Sequence, residues 1–393
     1  MNGGVSGDVE PPVGKSGRFS SSLGVLALAL LLLPLGLGIR FGKSEIATNS
    51  GVAAPPLSLS VGYPGDLATW IGEHATLKSV AIRADKWIDE QVYGEIPSAG
   101  SSSPRVLDGK SGVMFIADAF NEACRPHIET TDLVSQMEAL EQVVHSSGRD
   151  FHLAISPDKS TVLQEFLPDS FDLQRCFTDY NDDFWNQLES SEINGWIDLR
   201  SPLVTARQQS RDLLFKKRDT HWDDAGALVA TKAIVEELGE GIWEESDISY
   251  LGLGEYFGDL NVLSGETLVD EAPNYSIVRA GVSQENVVLV DDIEHGRNRR
   301  ITNSSGLSEL ISGRTVVFGD SFSEVAEKFF VSFFEDVTLM RLVDFSVDGY
   351  VKLIDESDRV VFWSVERTFP YRVAFDWGTD EFIRAVENGV VKR

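Results

Sequence analysis

Cysteine is scarce: Cys124 and Cys176 are the only two among 393 residues. Two cysteines cannot make a disulfide-stapled scaffold, and a chain this long has core enough to fold without one or a structural metal. Histidine is also sparse, with six residues and no cluster. Positive charge is the largest deficit, since 34 Lys+Arg face 62 Asp+Glu for a formal net charge of −28. Neutralising phosphates takes a basic face, so that balance excludes a nucleic-acid partner. Internal repeats are absent too. What is present is 42% hydrophobic and 10% aromatic residues, the composition of a packed globular core and not of a disordered chain.

The N-terminus carries one long apolar run. From Leu23 to Ile39 no residue is charged, a length close to the roughly 20 residues that cross a bilayer. A proline such as Pro34 is tolerated within a membrane helix. The run predicts an uncleaved single transmembrane anchor over 23–39, behind an N-terminal tail at 1–22. A cleaved signal peptide is the alternative, with Ala47, Ala53 and Ala54 lying far behind the run for a cleavage site. Lys15 and Arg18 precede it and Arg40 and Lys43 follow it, so charge counting leaves its orientation open. Residues 40–66, rich in Gly, Ala, Ser and Pro, read as a flexible linker, and 67–393 as the folded domain. An even cysteine pair beyond an export segment predicts a Cys124–Cys176 disulfide, against the alternative of two buried thiols.

Along the domain, Leu67 to Val92 reads as one or two amphipathic helices before the break SAGSSSP. Val113–Asp118 reads as a strand, Thr131–Ser146 as a helix, Phe151–Ser156 as a strand, Asp183–Ile193 as helical and Trp196–Leu199 as extended. Toward the C-terminus RTVVF, VTLMRL and RVVFWSV are apolar strand runs separated by helical segments. Continuous apolar strands alternating with helices predict an α/β fold with a parallel sheet covered on both faces. Residues 245–310, with the short runs NYSIVRA and NVVLVDD, read as an excursion beside it.

Ligands of such sheets bind beyond the carboxyl ends of the strands. Two segments there can carry chemistry. Thr315 to Phe318 runs into Gly319-Asp320-Ser321 and then a helix, which places Ser321 where helical N–H groups stabilise an oxyanion. Its alternative is a plain N-cap. Asp219-Thr-His221-Trp222 opens the helix near Gly226. A serine needs a base, and a histidine base needs an acceptor to fix its tautomer, so Asp219 and His221 could serve Ser321. Asp219, His221, Asp223 and Asp224 could instead hold a divalent metal. Trp222 reads as a packing residue behind His221. His74, His127, His145, His152 and His295 read as ordinary surface or core residues, and the basic run His295 to Arg300 as a solvated loop.

Taken in order, these segments resemble the SGNH-hydrolase-like domain of the alginate O-acetyltransferases of the AlgX/AlgJ type. Gly109-Lys-Ser-Gly-Val-Met-Phe115 is similar to the family's opening strand. Pro157-Asp-Lys159-Ser-Thr161 with Glu165 and Leu167-Pro168, Gly258-Asp-Leu260, and Glu366-Arg367 also have counterparts. The resemblance runs from about residue 67 to the C-terminus. It implies an SGNH-like fold with Ser321 as nucleophile, His221 as general acid/base and Asp219 as its orienting partner, with neither cofactor nor metal. Asn261 and Arg367 are candidates for a second oxyanion donor.

The function so implied is a membrane-anchored O-acetyltransferase that acetylates hydroxyls of an exported cell-surface polysaccharide through an acetyl-serine. Its catalytic domain would be extracytoplasmic, and a membrane-bound O-acyltransferase would relay the acetyl donor. The order Asp, His, Ser departs from ordinary SGNH esterases and fits the acetyltransferase branch. The family's frequent carbohydrate-binding domain has no counterpart after Arg367, and the net charge disfavours a polyanionic acceptor, so a neutral glycan is expected. An acetyl esterase using the same triad, and a non-catalytic scaffold of an export complex, are the competing readings.

Overall fold

The computed structural model describes residues 106–171, 173–289, 298–341 and 346–392. The expected tail, anchor at 23–39, linker and helices at 67–92 lie outside the described residues. Among the described residues no helix is long and apolar enough to cross a membrane.

The described chain starts with an antiparallel pair, β1 (Val106–Asp108) and β2 (Met114–Ile116), then α1 (Ala117–Cys124). Next come α2 (Thr130–Ser146), β3 (Asp150–Ser156), α3 (Gln174–Glu189) and β4 (Trp196–Asp198). Helices α4 (Arg200–Gln209) and α5 (Asp224–Leu238) precede β5 (Ile248–Tyr256). A short helix, α6 (Asp259–Ser264), lies between β5 and its antiparallel partner β6 (Asp270–Ile277). The C-terminal part holds β7 (Val282–Leu289), β8 (Arg299–Ser305), β9 (Ile311–Gly319), α7 (Ser321–Phe330) and β10 (Phe334–Arg341). It closes with α8 (Val347–Glu356), β11 (Arg359–Val365) and α9 (Asp380–Gly389).

Seven strands form the main sheet in the order β4-β3-β11-β9-β10-β8-β7. The run from β4 to β10 is parallel, as the apolar strands predict. Their side chains alternate between two cores. Val317, Val361 and Trp363 pack under α5 and α7, whereas Val316, Phe318, Val360 and Phe362 pack under α2, α3, α8 and α9. Period-two strands with both faces apolar can bury themselves only between two helical layers, and this sheet does so.

The sheet is nonetheless mixed, which corrects the all-parallel expectation. Strands β7 and β8 pair antiparallel, and β8 adds antiparallel to the β10 edge. Strand β7 is exposed on both faces, with the neighbouring Val287 and Val288 both open to solvent, as an edge strand can be, whereas Ile301 and Asn303 of β8 are buried. Only β5 and β6 stand beside the sheet as the sequence reading had it. Three other expectations shift. Val113–Asp118 is extended only at Met114–Ile116, in the small β1–β2 pair, and helix α1 begins at Ala117. The helix read from Asp183 starts at Gln174 and ends at Glu189, because Phe177, Asn181, Phe184 and Leu188 already make its buried stripe. Arg299 and Arg300 sit on β8, paired with Glu327 and Asp336 at 2.7 and 2.5 Å, and are not part of a solvated loop.

Cys124 at the end of α1 and Cys176 in the first turn of α3 are joined by a disulfide, with Cα atoms 5.2 Å apart. The bridge closes a loop over a sequence separation of 52. Breaking it by Cys124→Ser with Cys176→Ser should lower stability by about 2–4 kcal/mol. The shift in denaturation midpoint of the oxidised protein on adding reductant measures it; an unchanged midpoint would refute the contribution.

Candidate functional site

Ser321 stands where the parallel sheet ends. Strand β9 stops at Gly319, Asp320 caps the following helix, and Ser321 is its first helical residue. The cap is made by Asp320, whose Oδ1 accepts the Phe322 N–H at 2.9 Å and whose Oδ2 accepts the Val365 N–H at 2.6 Å. This sets aside the plain N-cap reading of Ser321 and leaves its hydroxyl free for another partner. The Ser321 N–H, at the helix start, has no acceptor within the helix. Gly319 is required by close approach: a Cβ there would lie 2.0 Å from Ser323 Oγ.

His221 comes from a loop outside the sheet. Phe215 and Trp222 form an isolated antiparallel bridge, and Lys216 N–H donates to the His221 carbonyl at 3.2 Å. Asp223 then caps α5 by accepting the Gly226 N–H at 3.0 Å. The loop lies hard against that helix, since a Cβ on Gly226 would meet the Leu214 carbonyl at 2.2 Å. Within it, Asp219 Oδ1 accepts both the His221 backbone N–H at 2.9 Å and the Nδ1–H at 2.8 Å. With Nδ1 donating, Nε2 is left as an acceptor, and it lies 2.7 Å from Ser321 Oγ. The structure thus brings the three expected residues together across 100 positions of sequence. Burial opposes the Asp219 charge, yet the hydrogen bonds from His221, the electrostatic pull of that side chain and the charge of Lys216 hold its carboxyl well below the usual range.

A layer behind these residues fixes them. Asp259 Oδ1 and Oδ2 accept from Thr220 N–H and Oγ1–H at 2.8 and 2.6 Å, and the Asp259 N–H donates to Asp219 Oδ2 at 3.2 Å. Trp222 is fully buried and packs edge-on to Phe322 at 4.9 Å, so it supports the site from within and offers no face to a ligand. Asn261 is buried with its Nδ2 donating to Leu268 O at 2.8 Å. Arg367 is ion-paired to buried Asp158 and lies over the Phe322 ring at 5.4 Å. Asn261 Nδ2 and Arg367 Nη1 thus each already donate to a neighbour, Leu268 O and Asp158 respectively.

The metal alternative does not assemble as drawn from sequence. Asp223 is the α5 cap, and Asp224 accepts from Lys328 at 2.6 Å and from the Tyr275 N–H at 2.9 Å. Asp219, His221 and Asp259 do present atoms within 4.8 Å of one another. Their oxygens already accept the N–H and O–H groups just named, a donor set arranged for hydrogen bonds. Of the other histidines, His127 meets Glu122 at 2.7 Å and His152 is pushed down to about 4, chiefly by burial and then by Arg359. His74 and His295 lie outside the described residues.

Three contributors went unassigned in the sequence: Asp259, Asp320 and Lys159. Lys159 and Asp259 lie in segments whose only sequence signal was the order of motifs, and Asp320 was read only as part of the turn before Ser321. Below them, Glu366 accepts from Thr161 Oγ1 at 2.7 Å, Asn181 Nδ2 at 2.5 Å and the Asp158 N–H at 2.8 Å. Burial, and then the Asp158 charge, push its carboxyl up to about 7 from 4.5. Between those values the folded chain holds a proton that the unfolded chain has released, so stability falls as pH rises through that window. Glu366→Gln, neutral throughout, should lose that pH dependence; urea midpoints at pH 5, 6 and 7 with equal slopes in both proteins would contradict the assignment.

Comparison with known proteins follows the same lines. Residues 106–350 match the family described as SGNH hydrolase-like domain, acetyltransferase AlgX. A probable alginate O-acetylase AlgJ from Pseudomonas putida is 25% identical over 138 residues, 34% of each chain. The match therefore spans about a third of that relative's length. Among solved structures, the O-acetyltransferase domain of Pseudomonas putida AlgJ is 18% identical with a TM-score of 0.47, covering 72% of this chain and 99% of its own. Pseudomonas aeruginosa AlgX is 16% identical with a TM-score of 0.44, covering 72% and 66%. With more than half of its length matched by the family, the chain belongs to the AlgX-type SGNH hydrolase-like acetyltransferase domains.

Proposed function

We propose that this protein is an O-acetyltransferase that moves acetyl groups onto hydroxyls of an exported polysaccharide, tethered to the membrane by its segment 23–39 with the catalytic domain on the extracytoplasmic side. The observation that carries the reading is the contact of Ser321 Oγ with His221 Nε2 at 2.7 Å, backed by Asp219 at 2.8 Å, in a chain of this family. In the first half-reaction His221 takes the Ser321 proton as Oγ attacks the acetyl carbonyl. The oxyanion forms beside the Ser321 N–H at the positive end of α7. Collapse expels the donor's leaving group, which receives the proton from His221, and leaves acetyl-Ser321. In the second, His221 takes the proton of a sugar hydroxyl, the hydroxyl oxygen attacks the acetyl carbon, and Ser321 departs and recovers its proton. Asp219 holds the imidazole tautomer and stabilises the imidazolium.

The acceptor is a neutral glycan, because a formal charge of −28 repels a polyanion at low salt. The donor is an acetyl group relayed by a membrane-bound O-acyltransferase. The test is intact-mass analysis of the full-length protein exposed to 4-nitrophenyl acetate. The wild type should gain one acetyl group on Ser321. Ser321→Ala should gain none, and His221→Ala and Asp219→Asn should be acylated about 10²–10⁴-fold more slowly. Loss of the adduct on adding a neutral oligosaccharide, with the acetyl recovered on sugar, marks a transferase; loss to water alone marks an esterase. A folded wild type that never acylates would leave a scaffold.

A further inference from the structure

Lys159 opens the helical turn Lys159–Val162 directly after β3, and it is buried. A buried ammonium must place three donors and ordinarily meets a carboxylate. This one meets only backbone. Its Nζ donates toward the carbonyls of Met114 at 3.0 Å, Lys216 at 2.7 Å, Lys217 at 3.2 Å and Asp219 at 2.5 Å. Three of those four carbonyls belong to the loop that carries Asp219 and His221. The fourth lies on β2, whose Met114 N–H also donates to Lys217 O at 2.9 Å.

Carbonyl oxygens turned toward one point repel one another unless a cation lies between them. The loop has no place in the main sheet, so no ladder dictates its shape. The ammonium does what a ladder does elsewhere: it fixes where four peptide groups stand. From the Asp219 peptide the chain needs only two residues to reach the imidazole, so an error in the loop passes almost undiminished to Nε2. The neighbouring charges are mixed. Burial pushes the Lys159 ammonium down to about 7, the Asp219, Asp259 and Asp158 carboxylates favour its charged form, and Arg367 opposes it.

We propose that Lys159 is the positioning residue of this site: its ammonium gathers the carbonyls of Lys216, Lys217 and Asp219 so that the loop holds His221 against Ser321. Without that cation the carbonyls separate, the His221–Ser321 contact opens, and acylation slows although the triad is intact. The proposal rests on the triad reading of the site.

The experiment measures acetylation of Ser321 in the full-length chain by 4-nitrophenyl acetate, over a range of ester concentrations and from pH 6 to 9. Lys159→Met keeps the stem and removes the charge; Lys159→Gln keeps two N–H donors and serves if the first variant does not fold. The folded variant should show a maximal rate at least tenfold lower with KM unchanged within twofold. It should also lack the fall in rate above neutrality that loss of the ammonium proton gives the wild type. A wild-type maximal rate in a folded variant, or an unchanged pH profile, overturns the proposal. Failure of both variants to fold would make Lys159 a residue of the fold alone and also overturns it. A wild type that forms no adduct removes the triad reading and this proposal with it, whereas an adduct on the wild type beside an unaffected variant overturns the proposal alone.

Discussion

One hydrogen bond sets the demands on this molecule, that between His221 Nε2 and Ser321 Oγ, 100 residues apart. Its two ends are held by different physics. Ser321 follows a strand buried on both faces, so moving it means disturbing two hydrophobic cores. His221 rides on a loop that belongs to no sheet, and its place must be made from individual polar contacts. The Phe215–Trp222 bridge closes the loop, the Asp223 cap joins it to α5, and the Tyr256 hydroxyl accepts the Lys217 N–H at 2.7 Å. A misplacement of about 1 Å at either end is enough to spoil such a contact for proton transfer.

The carboxyl edge of the sheet and the His221 loop beside it hold a group of buried ionisable side chains: Asp158, Lys159, Asp219, Glu366 and Arg367. Burying ions gains little net stability, because desolvation consumes most of the attraction, while deleting one member strands its partner. The distribution of these groups is better explained by orientation than by stability. Asp158 and Arg367 tie the end of β3 to the residues after β11, with the Arg367 N–H donating to Asp158 Oδ2 at 2.9 Å. Glu366 adds Thr161 and Asn181 from the turn after β3 and from α3. These ties span β3, β11 and the helix behind them, and Asp320 joins β9 to the same group through the Val365 N–H.

Much of this was legible in the sequence, and what was missed shares a cause. The parallel strands were plain because a strand buried on both faces is apolar throughout. Ser321, His221 and Asp219 were singled out as a serine at a strand end and an Asp-x-His, and the fold brings them within hydrogen-bond distance of one another. The pairing of β7 and β8 with the sheet edge was not found, because VSQENVVL and RRITNSS are mostly polar, follow no period-two pattern and say nothing of which strand they pair with. The start of α3 was missed for a related reason: Asn181 is a polar member of a buried stripe and breaks the apolar period. Lys159 and Asp259 were quoted within motifs but given no role, since a lone lysine or aspartate in sequence looks solvated. Their meaning lies in backbone groups contributed by distant segments, which carry no residue type at all.

The same geometry leaves acceptor choice to what surrounds the triad. An imidazole poised on a serine activates water as readily as a sugar hydroxyl, so a transferase must make the acceptor locally abundant and water locally scarce. His221 keeps about a fifth of its side chain exposed, so the acyl group of the proposed mechanism would meet solvent unless an acceptor covered it. Covering by a polymer is governed at long range by net charge, and this chain carries a formal charge of −28. A neutral glycan approaches such a surface without electrostatic cost, whereas a polyanion approaches only when salt shortens the reach of the field to a few ångströms. On the proposed reading, the triad sets which bond is made and broken, and the charge of the chain biases which hydroxyls arrive to receive it.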